Sequence, residues 1–572
     1  MAKAPAESLV GSIEHVGDRW VIRCEPHIRM RIRRLFSQVD QGAGETISIS
    51  DNPENCRDLL WLVDRHPMAV KGLAHMRRQS NAHVETETLI QRLRAGLVPP
   101  QPVTLPKPPR EYQLRATQIL EAIRGLLLAD DTGLGKTYST ILGTTLPGAL
   151  PVLVVVQSHL KLQWADAFLE FAPHLSVHVI KKGTPYDLLD LRSRNPAPNA
   201  PQKGRFPDVL IVSYTMLSGW AETLAPIIRY VAFDEVQELR HQGSLKYKAA
   251  KYLGDALAAR RDLRLGTSAT PIHNLGAEFF SVLDVLSPGT LGTENEFRNA
   301  WCKDDCIKDP KMFGDHLRSA GLMLGRTRKE VGRELPPLSV IPHTIQADIK
   351  ALDEIAGSAV ALAKIILADQ DAYKGQRFQA SEEFNTLLRQ ATGIAKAPYV
   401  AEFVRMLLAT EDRVIVFAWH RQVYSILSEM LADFDPVMFT GSESAAQKEA
   451  SKQAFMSGKS RVMLMSLRSG SGVDQLQHVC TTGVFAELDW SQSVHHQCIS
   501  RYHRDGQDAP SQAYFLLSDE GCDPVISQVL GIKKAQLEGV RNPDADLIAP
   551  APLDPGRIKS LAEAYLKQIE TA

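Results

Sequence analysis

The sequence has no apolar run near the roughly 18–20 residues that span a bilayer, which excludes a helical membrane protein. Its first residues, MAKAPAESLVGS, lack the apolar centre of a secretory leader. The chain is therefore expected to stay where it is made. Cysteine is scarce: seven residues at irregular spacing, an odd number with no disulfide framework. Cys302 and Cys306 form the only close pair, and no second pair or histidine cluster completes a metal site, so reduced thiols are expected. Charge of one sign is also missing. With 65 basic and 66 acidic residues the net charge is -1, which gives no global footprint for nucleic acid but leaves room for a local basic groove. There is no internal repeat of solenoid period and no recognisable nuclease, bromodomain-like or zinc module.

What is present is a long chain of 572 residues with 44% hydrophobic content, enough for about three or four domains. Two α/β lobes are legible. Short continuous apolar runs alternate with helical stretches: GLLLAD (125–130), VLVVV (152–156), VLIVSY (209–214), YVAFDE (230–235) and LRLGTSAT (263–270). The rhythm returns at RVIVFAW (413–419), PVMFTG (436–441), RVMLMSL (461–467), TGVFAEL (482–488) and SQAYFLL (511–517). Runs of this kind suit strands buried on both faces of parallel sheets, in which ligands sit beyond the carboxyl ends of the strands. The expected fold class is α/β: two doubly wound parallel-sheet lobes with helical insertions, plus a small N-terminal α+β domain. The expected boundaries are 1–98 for that domain, 99–109 for a proline-rich linker (PPQPVTLPKPP spans Pro99 to Pro109), 110–290 for the first lobe, 291–395 for a mostly helical connector, 396–520 for the second lobe and 521–572 for a helical tail.

Two segments carry chemistry in the first lobe. In GLLLADDTGLGKT, a strand leads through Gly133 and Gly135 into a helix. The glycines let backbone N–H groups face a phosphate, Lys136 reaches the β- and γ-phosphates, and Thr137 holds Mg²⁺. Asp130 stands where the general phosphate-loop pattern has its first glycine. In YVAFDEVQ, Asp234 and Glu235 arrive together at a strand end. One suits holding Mg²⁺, the other polarising an attacking water.

At this point the sequence resembles the Swi/Snf-type ATPases of helicase superfamily two, from about Arg110 to about Val540. LADDTGLGKT is similar to the family's LADEMGLGKT, which also carries Asp in the Asp130 place. REYQ implies that Gln113 contacts adenine. VLVVVQSHLKLQW resembles motif Ia, with Gln163 and Trp164. DEVQ stands where the family has a DExH box, with Gln237 in place of histidine. LGTSATPIHN resembles motif III, so that Ser268, Ala269 and Thr270 link the nucleotide to the DNA track. LGRTRKEVGRELPP is similar to LRRTKKDVxxELPP, and LRQATGIAK to a stretch common among annealing helicases and fork remodellers. In the second lobe RVIVFAWHRQV resembles motif IV, and SLRSGSGVDQLQ resembles motif V through Gly470, Gly472 and Asp474. QCISRYHRDGQ resembles QxxGRxHRxGQ at Gln497, Arg501, His503, Arg504, Gly506 and Gln507, with Ser500 in the glycine place.

The resemblance implies ATP and Mg²⁺ as cofactors. It places Asp131, Thr132, Gly133, Leu134, Gly135, Lys136, Thr137, Tyr138, Gly472, Asp474, Gln497, Arg501 and Arg504 with Gln113 around ATP, Mg²⁺ on Thr137 and Asp234, and Arg504 with Arg501 beside it as the arginine finger. It also implies a motor on DNA, duplex or branched rather than single-stranded, acting as a monomer in a bacterial or phage-infected cytoplasm. A strand-separating helicase, a motor subunit of a restriction or defence complex, and a nucleotide-gated scaffold without turnover are the alternatives.

The flanks say less. PHIRMRIRRLF alternates Ile28, Met30 and Ile32 with Arg29, Arg31 and Arg33, which predicts a strand with one basic face, either a DNA-backbone contact or a solvated surface. ETISISD predicts a strand and ENCRDLLWLVDRH a helix after an Asp or Asn cap. Trp419, Trp490 and His420 read as packing residues rather than base-stacking ones. Lys533 and Lys534 read equally as phosphate contacts or as a solvated helix face.

Overall fold

The computed structural model describes residues 9–39, 44–191, 199–269, 276–303, 306–348, 350, 374–468, 475–524 and 526–527. The motif residues Thr270, Gly470, Gly472 and Asp474, residues 351–373 of the expected helical connector, Lys533, Lys534 and most of the expected helical tail lie outside them. The chain divides into two compact units that meet between Val331 and Gly332.

In the first unit, the N-terminal sheet has the order β3 (Thr46–Ser50), β2 (Arg19–Cys24), β1 (Gly11–Val16), β4 (Ala69–Lys71). Its inner face buries Ile13, Trp20, Ile22, Ile47 and Ile49. ETISISD forms the expected strand. The expected helix is Pro53–Arg65, where Asn52 accepts from the Asn55 amide at 2.8 Å. One expectation fails: PHIRMRIRRL is an α-helix, Pro26–Leu35, not a strand. Pro26 pre-sets its first turn, and the buried residues are Ile28 and Ile32 while Met30 is 60% exposed. The core thus takes the i,i+4 pair of a helix, not the i,i+2 set of a strand. Arg29 and Arg33 donate to the carbonyls of Glu45 and Gly44.

This small sheet is riveted to the first lobe. Arg19 Nη2 donates to Glu296 Oε1 at 2.9 Å, and the Ser50 amide and hydroxyl donate to the same carboxylate at 3.1 and 2.5 Å. Burial works to raise the Glu296 pKa, but Ser50, the Thr293 amide and Arg19 outweigh it and hold the carboxyl below its ordinary value. The proline-rich stretch lies along the lobe, with Val98, Val103 and Leu105 packed against its core and the Lys107 carbonyl accepting from the Tyr138 hydroxyl.

The first lobe is a seven-stranded sheet of order β13-β5-β10-β9-β6-β8-β7, with every pairing parallel. These strands are β5 (Gly125–Leu128), β6 (Val152–Val156), β7 (Val177–Val179), β8 (Val209–Ser213), β9 (Tyr230–Asp234), β10 (Leu263–Thr267) and β13 (Met323–Leu324). The five apolar runs read from the sequence are its central strands, buried on both faces. At Gly125 a Cβ would stand 2.2 Å from the Leu286 carbonyl. Only glycine lets helix Phe279–Leu286 cross the strand so closely. Cys302 and Cys306 are buried thiols outside any disulfide, in the antiparallel pair of β11 (Cys302–Lys303) and β12 (Cys306–Ile307).

The second unit holds a six-stranded parallel sheet of order β14-β19-β18-β15-β17-β16. Its strands are β14 (Leu338–Thr344), β15 (Val414–Ala418), β16 (Val437–Phe439), β17 (Val462–Ser466), β18 (Thr482–Phe485) and β19 (Ser511–Leu517). Helix Lys374–Leu407 is pinned to it by Lys396, which is fully buried and donates to the Leu516 carbonyl at 2.8 Å and to Asp523 at 2.6 Å. The connector expected to be helical contributes β13 to the edge of one sheet and β14 to the edge of the other. Their edge positions explain why the apolar signal was weak: β14 buries none of its residues.

Candidate nucleotide site

The site in the first unit is built at the carboxyl ends of β5, β9 and β10. Past β5 the chain turns through Gly133 and Gly135, both at positive φ (79° and 75°), and enters helix Lys136–Leu142. A Cβ at Gly133 would meet the Arg328 guanidinium, and one at Gly135 would stand 2.7 Å from Gln113 Nε2. The cradle is thus shaped for bare backbone. Lys136 Nζ folds back onto the carbonyls of Asp130 (2.9 Å) and Asp131 (3.2 Å). Burial pulls the Lys136 pKa below its ordinary value, against the carboxylates of Glu235, Asp130, Asp234 and Asp131, which favour the charge. A half-buried ammonium hydrogen-bonded to two loop carbonyls, beside a glycine cradle, fits an anionic phosphate.

Gln113 is buried. Its Oε1 accepts from the Arg110 amide at 3.0 Å and its Nε2 donates to the Leu134 carbonyl at 3.3 Å. Helix Glu111–Ile123 is thereby fastened to the loop that carries Leu134.

Asp234 closes the other side. It accepts from Trp164 Nε1 at 3.0 Å through Oδ2 and from the Thr267 hydroxyl at 2.9 Å through Oδ1. Its backbone carbonyl accepts from the Tyr214 hydroxyl at 2.8 Å. Burial pushes the Asp234 pKa up, while the bonds from Trp164 and Thr267 and the charge of Lys136 pull against it. Glu235 follows in the left-handed region at φ 50°, which costs of order 1–3 kcal/mol for a residue with a Cβ and collects at functional sites. Gln237 Nε2 donates to Glu235 Oε2 at 2.6 Å. The glutamine in the histidine place therefore reaches the carboxylate. Ser268 and Ala269 lie buried just past β10.

Asp130, in the first-glycine place, has a structural task. It is fully buried and is gripped by Arg326, with Nε to Oδ1 at 2.9 Å, Nη2 to Oδ2 at 2.5 Å and the Arg326 amide to Oδ1 at 3.1 Å. The Arg328 amide donates to Asp131 at 3.0 Å. The phosphate loop is thus clamped by the chain leaving β13. Reading LGRTRK as a family motif located these arginines but gave them no partner.

In the second unit the segment 497–507 begins in the last turn of helix Gln492–Ile499 and runs on past its end. Gln507 Nε2 donates to the carbonyls of Cys480 and Tyr502, both at 3.0 Å. His503 bonds the Pro336 carbonyl at 2.9 Å, and Asp505 pairs with Arg333 at 2.7 Å. Ser500 donates to the Gln497 carbonyl at 2.8 Å. These partners frame Arg501 and Arg504 in one short turn.

Two parallel-sheet lobes of this kind, the first bearing a phosphate loop and an Asp-Glu strand end, define an ATPase of helicase superfamily two. The SNF2-related domain family matches residues 20–392 and the helicase conserved C-terminal domain matches residues 396–506; the chain belongs to the SNF2-related family. An uncharacterized ATP-dependent helicase of Mycoplasma genitalium is 24% identical over 458 residues, covering 75% of this chain and 42% of that protein. The SWI/SNF-related matrix-associated actin-dependent regulator of chromatin subfamily A-like protein 1 of Xenopus tropicalis is 27% identical, covering 70% of this chain and 41% of its own. The DNA annealing helicase and endonuclease ZRANB3 of Bos taurus is 25% identical, covering 72% and 38%. The chain spans about two fifths of the length of these curated relatives. Among the described residues no helix is long and apolar enough to cross a membrane.

Proposed function

We propose that the chain is a DNA-stimulated ATP motor that moves on duplex or branched DNA and remodels the DNA or what is bound to it. The observation that carries this reading is Asp234, which the motif Ia tryptophan and the threonine opening motif III both bond. A carboxylate at the nucleotide is thereby tied to the two segments that, by resemblance, lead to the DNA track.

In this reading Lys136 leaves the Asp130 and Asp131 carbonyls for the β- and γ-phosphate oxygens. Gln113 reads the adenine, and the amides of 131–138 line the phosphates. Mg²⁺ would be held by Thr137 and Asp234 and would neutralise charge on the transferring phosphoryl group. Glu235, oriented by Gln237, polarises the attacking water. Arg504 with Arg501 supplies fixed guanidinium charge to the γ-phosphoryl oxygens, for which a permanently charged, planar fork suits. Gly472, Asp474 and Gln497 complete the second lobe's share. A cycle of nucleotide-driven closure and opening then moves DNA-gripping surfaces.

Phosphate release measured with no DNA, single-stranded DNA, blunt duplex and forked duplex tests the proposal. Stimulation by duplex or forked DNA is expected. Turnover indifferent to every DNA would overturn it.

A further inference from the structure

The small N-terminal sheet gathers three side chains that the motor reading does not use. His15 stands on β1, Asp51 directly follows β3, and His75 lies in the first turn of helix Leu73–Arg94. The sequence shows no histidine cluster because the two histidines are 36 and 24 residues from Asp51; the fold makes one. Nε2 of His15 and Nε2 of His75 lie 2.8 and 2.7 Å from the same oxygen, Asp51 Oδ2. The three ligand-type atoms all lie within 4.8 Å of one another. Gly72 permits the approach. It sits at φ 102°, and a Cβ there would stand 3.0 Å from the His15 Cβ and 3.2 Å from the Trp20 ring.

Buried neighbours hold the carboxylate, while the imidazoles stay within reach of solvent. Asp51 Oδ1 accepts from Trp20 Nε1 at 2.8 Å and from Cys56 Sγ at 3.2 Å, and Trp20 and Cys56 are fully buried. These bonds fix the carboxylate plane and leave Oδ2 to the imidazoles, which is the outer support that orients a metal ligand. The two rings stack with centroids 4.6 Å apart and planes 23° apart, so both Nε2 atoms point to one place. The side chains of His15 and His75 are each 28% exposed, enough for an ion to enter and keep a water. Zinc bonds to nitrogen and carboxylate oxygen are about 2.0–2.2 Å, so tetrahedral ligands stand roughly 3.4 Å apart. Each imidazole has to draw back from Oδ2 by roughly 0.6 Å to admit the ion, a small side-chain adjustment.

We propose that His15, Asp51 and His75 bind a divalent transition-metal ion of the zinc class, with water in the fourth place. The inference stands apart from the motor reading. Paired imidazoles favour zinc, cobalt or nickel over the magnesium that oxygen ligands take, so this ion is distinct from the Mg²⁺ proposed for the nucleotide. On binding, each neutral ring carries its proton on Nδ1 instead of Nε2 and gives the Nε2 lone pair to the metal, so the rings release no net proton. The ion ties β1, the end of β3 and helix Leu73–Arg94 together. It thereby braces the small domain that Arg19 and Ser50 fasten to the first lobe.

The test titrates zinc chloride alone into the tag-free full chain, stripped with EDTA and dialysed, by isothermal calorimetry, beside H15Q, H75Q and C56S. Glutamine still offers Asp51 an amide N–H, so the first two variants keep a hydrogen bond while losing the imidazole. The parent is expected to bind one zinc per chain, undiminished by excess Mg²⁺. H15Q and H75Q should bind it at least about tenfold more weakly, and C56S within about twofold of the parent. Zinc should also raise the thermal midpoint of the parent and not that of H75Q. A parent that binds no stoichiometric zinc, or binding that H15Q and H75Q leave intact, overturns the proposal. Loss in C56S alone also overturns it and would place the zinc on the thiol.

Discussion

The indole N–H of Trp164 donates to the carboxylate of Asp234 at 3.0 Å, joining the helix after β6 to the strand end of β9. Burial raises the Asp234 pKa and this bond lowers it. Loss of the bond removes a stabiliser of the ionised form, so the pKa must move further up. If the ionised carboxylate is the working form, the acid limb of the ATPase pH profile shifts to higher pH in Trp164→Phe. A pH–rate profile of variant and parent checks this, and an unmoved limb would detach Asp234 from the rate.

Lys136→Ala removes the ammonium that the loop carbonyls hold. Hydrolysis should fall by at least about a hundredfold, as removal of a single charge-stabilising donor does elsewhere. Circular dichroism should be unchanged. Wild-type turnover would refute the assignment of the phosphate site.

Arg504→Ala should bind ATP as the parent does, measured with a fluorescent nucleotide, and lose hydrolysis by a comparable factor. Undiminished turnover would move the finger to Arg501 or elsewhere.

The Asp130–Arg326 pair makes a stability prediction that is independent of catalysis. Asp130 is fully buried and the Arg326 side chain is 11% exposed. Arg326→Ala strands a buried carboxylate, and the first unit should lose about 3–5 kcal/mol. Replacing both partners with apolar residues of similar volume should restore much of it. Chemical denaturation of the three proteins decides, and a neutral single variant would contradict the clamp.

Much of the fold was legible because parallel strands buried on both faces leave unbroken apolar runs. Every such run in the two lobes became a strand, and all but the run of β16, which lies at a sheet edge, became central ones. The glycine turn before Lys136 and the Asp-Glu end of β9 were legible as local structure because glycines at a tight turn and acids after an apolar run show in residue type and spacing. What escaped was set by three-dimensional partners. The edge strands β13 and β14 have little apolar signal. The basic helix Pro26–Leu35 alternates like a strand over a few residues, and only the burial of Ile28 with Ile32 separates the two. The grip of Arg326 on Asp130 joins residues 196 apart, and spacing could not show it. Trp419 looked like core because tryptophan usually is, yet it is 41% exposed beside Arg468.

The most direct test of the account is steady-state phosphate release by the full chain with Mg²⁺ and ATP, with and without forked duplex DNA, beside Lys136→Ala. The account predicts turnover that rises with the DNA and vanishes in the variant. Turnover that ignores the DNA, or that survives the loss of Lys136, would contradict it.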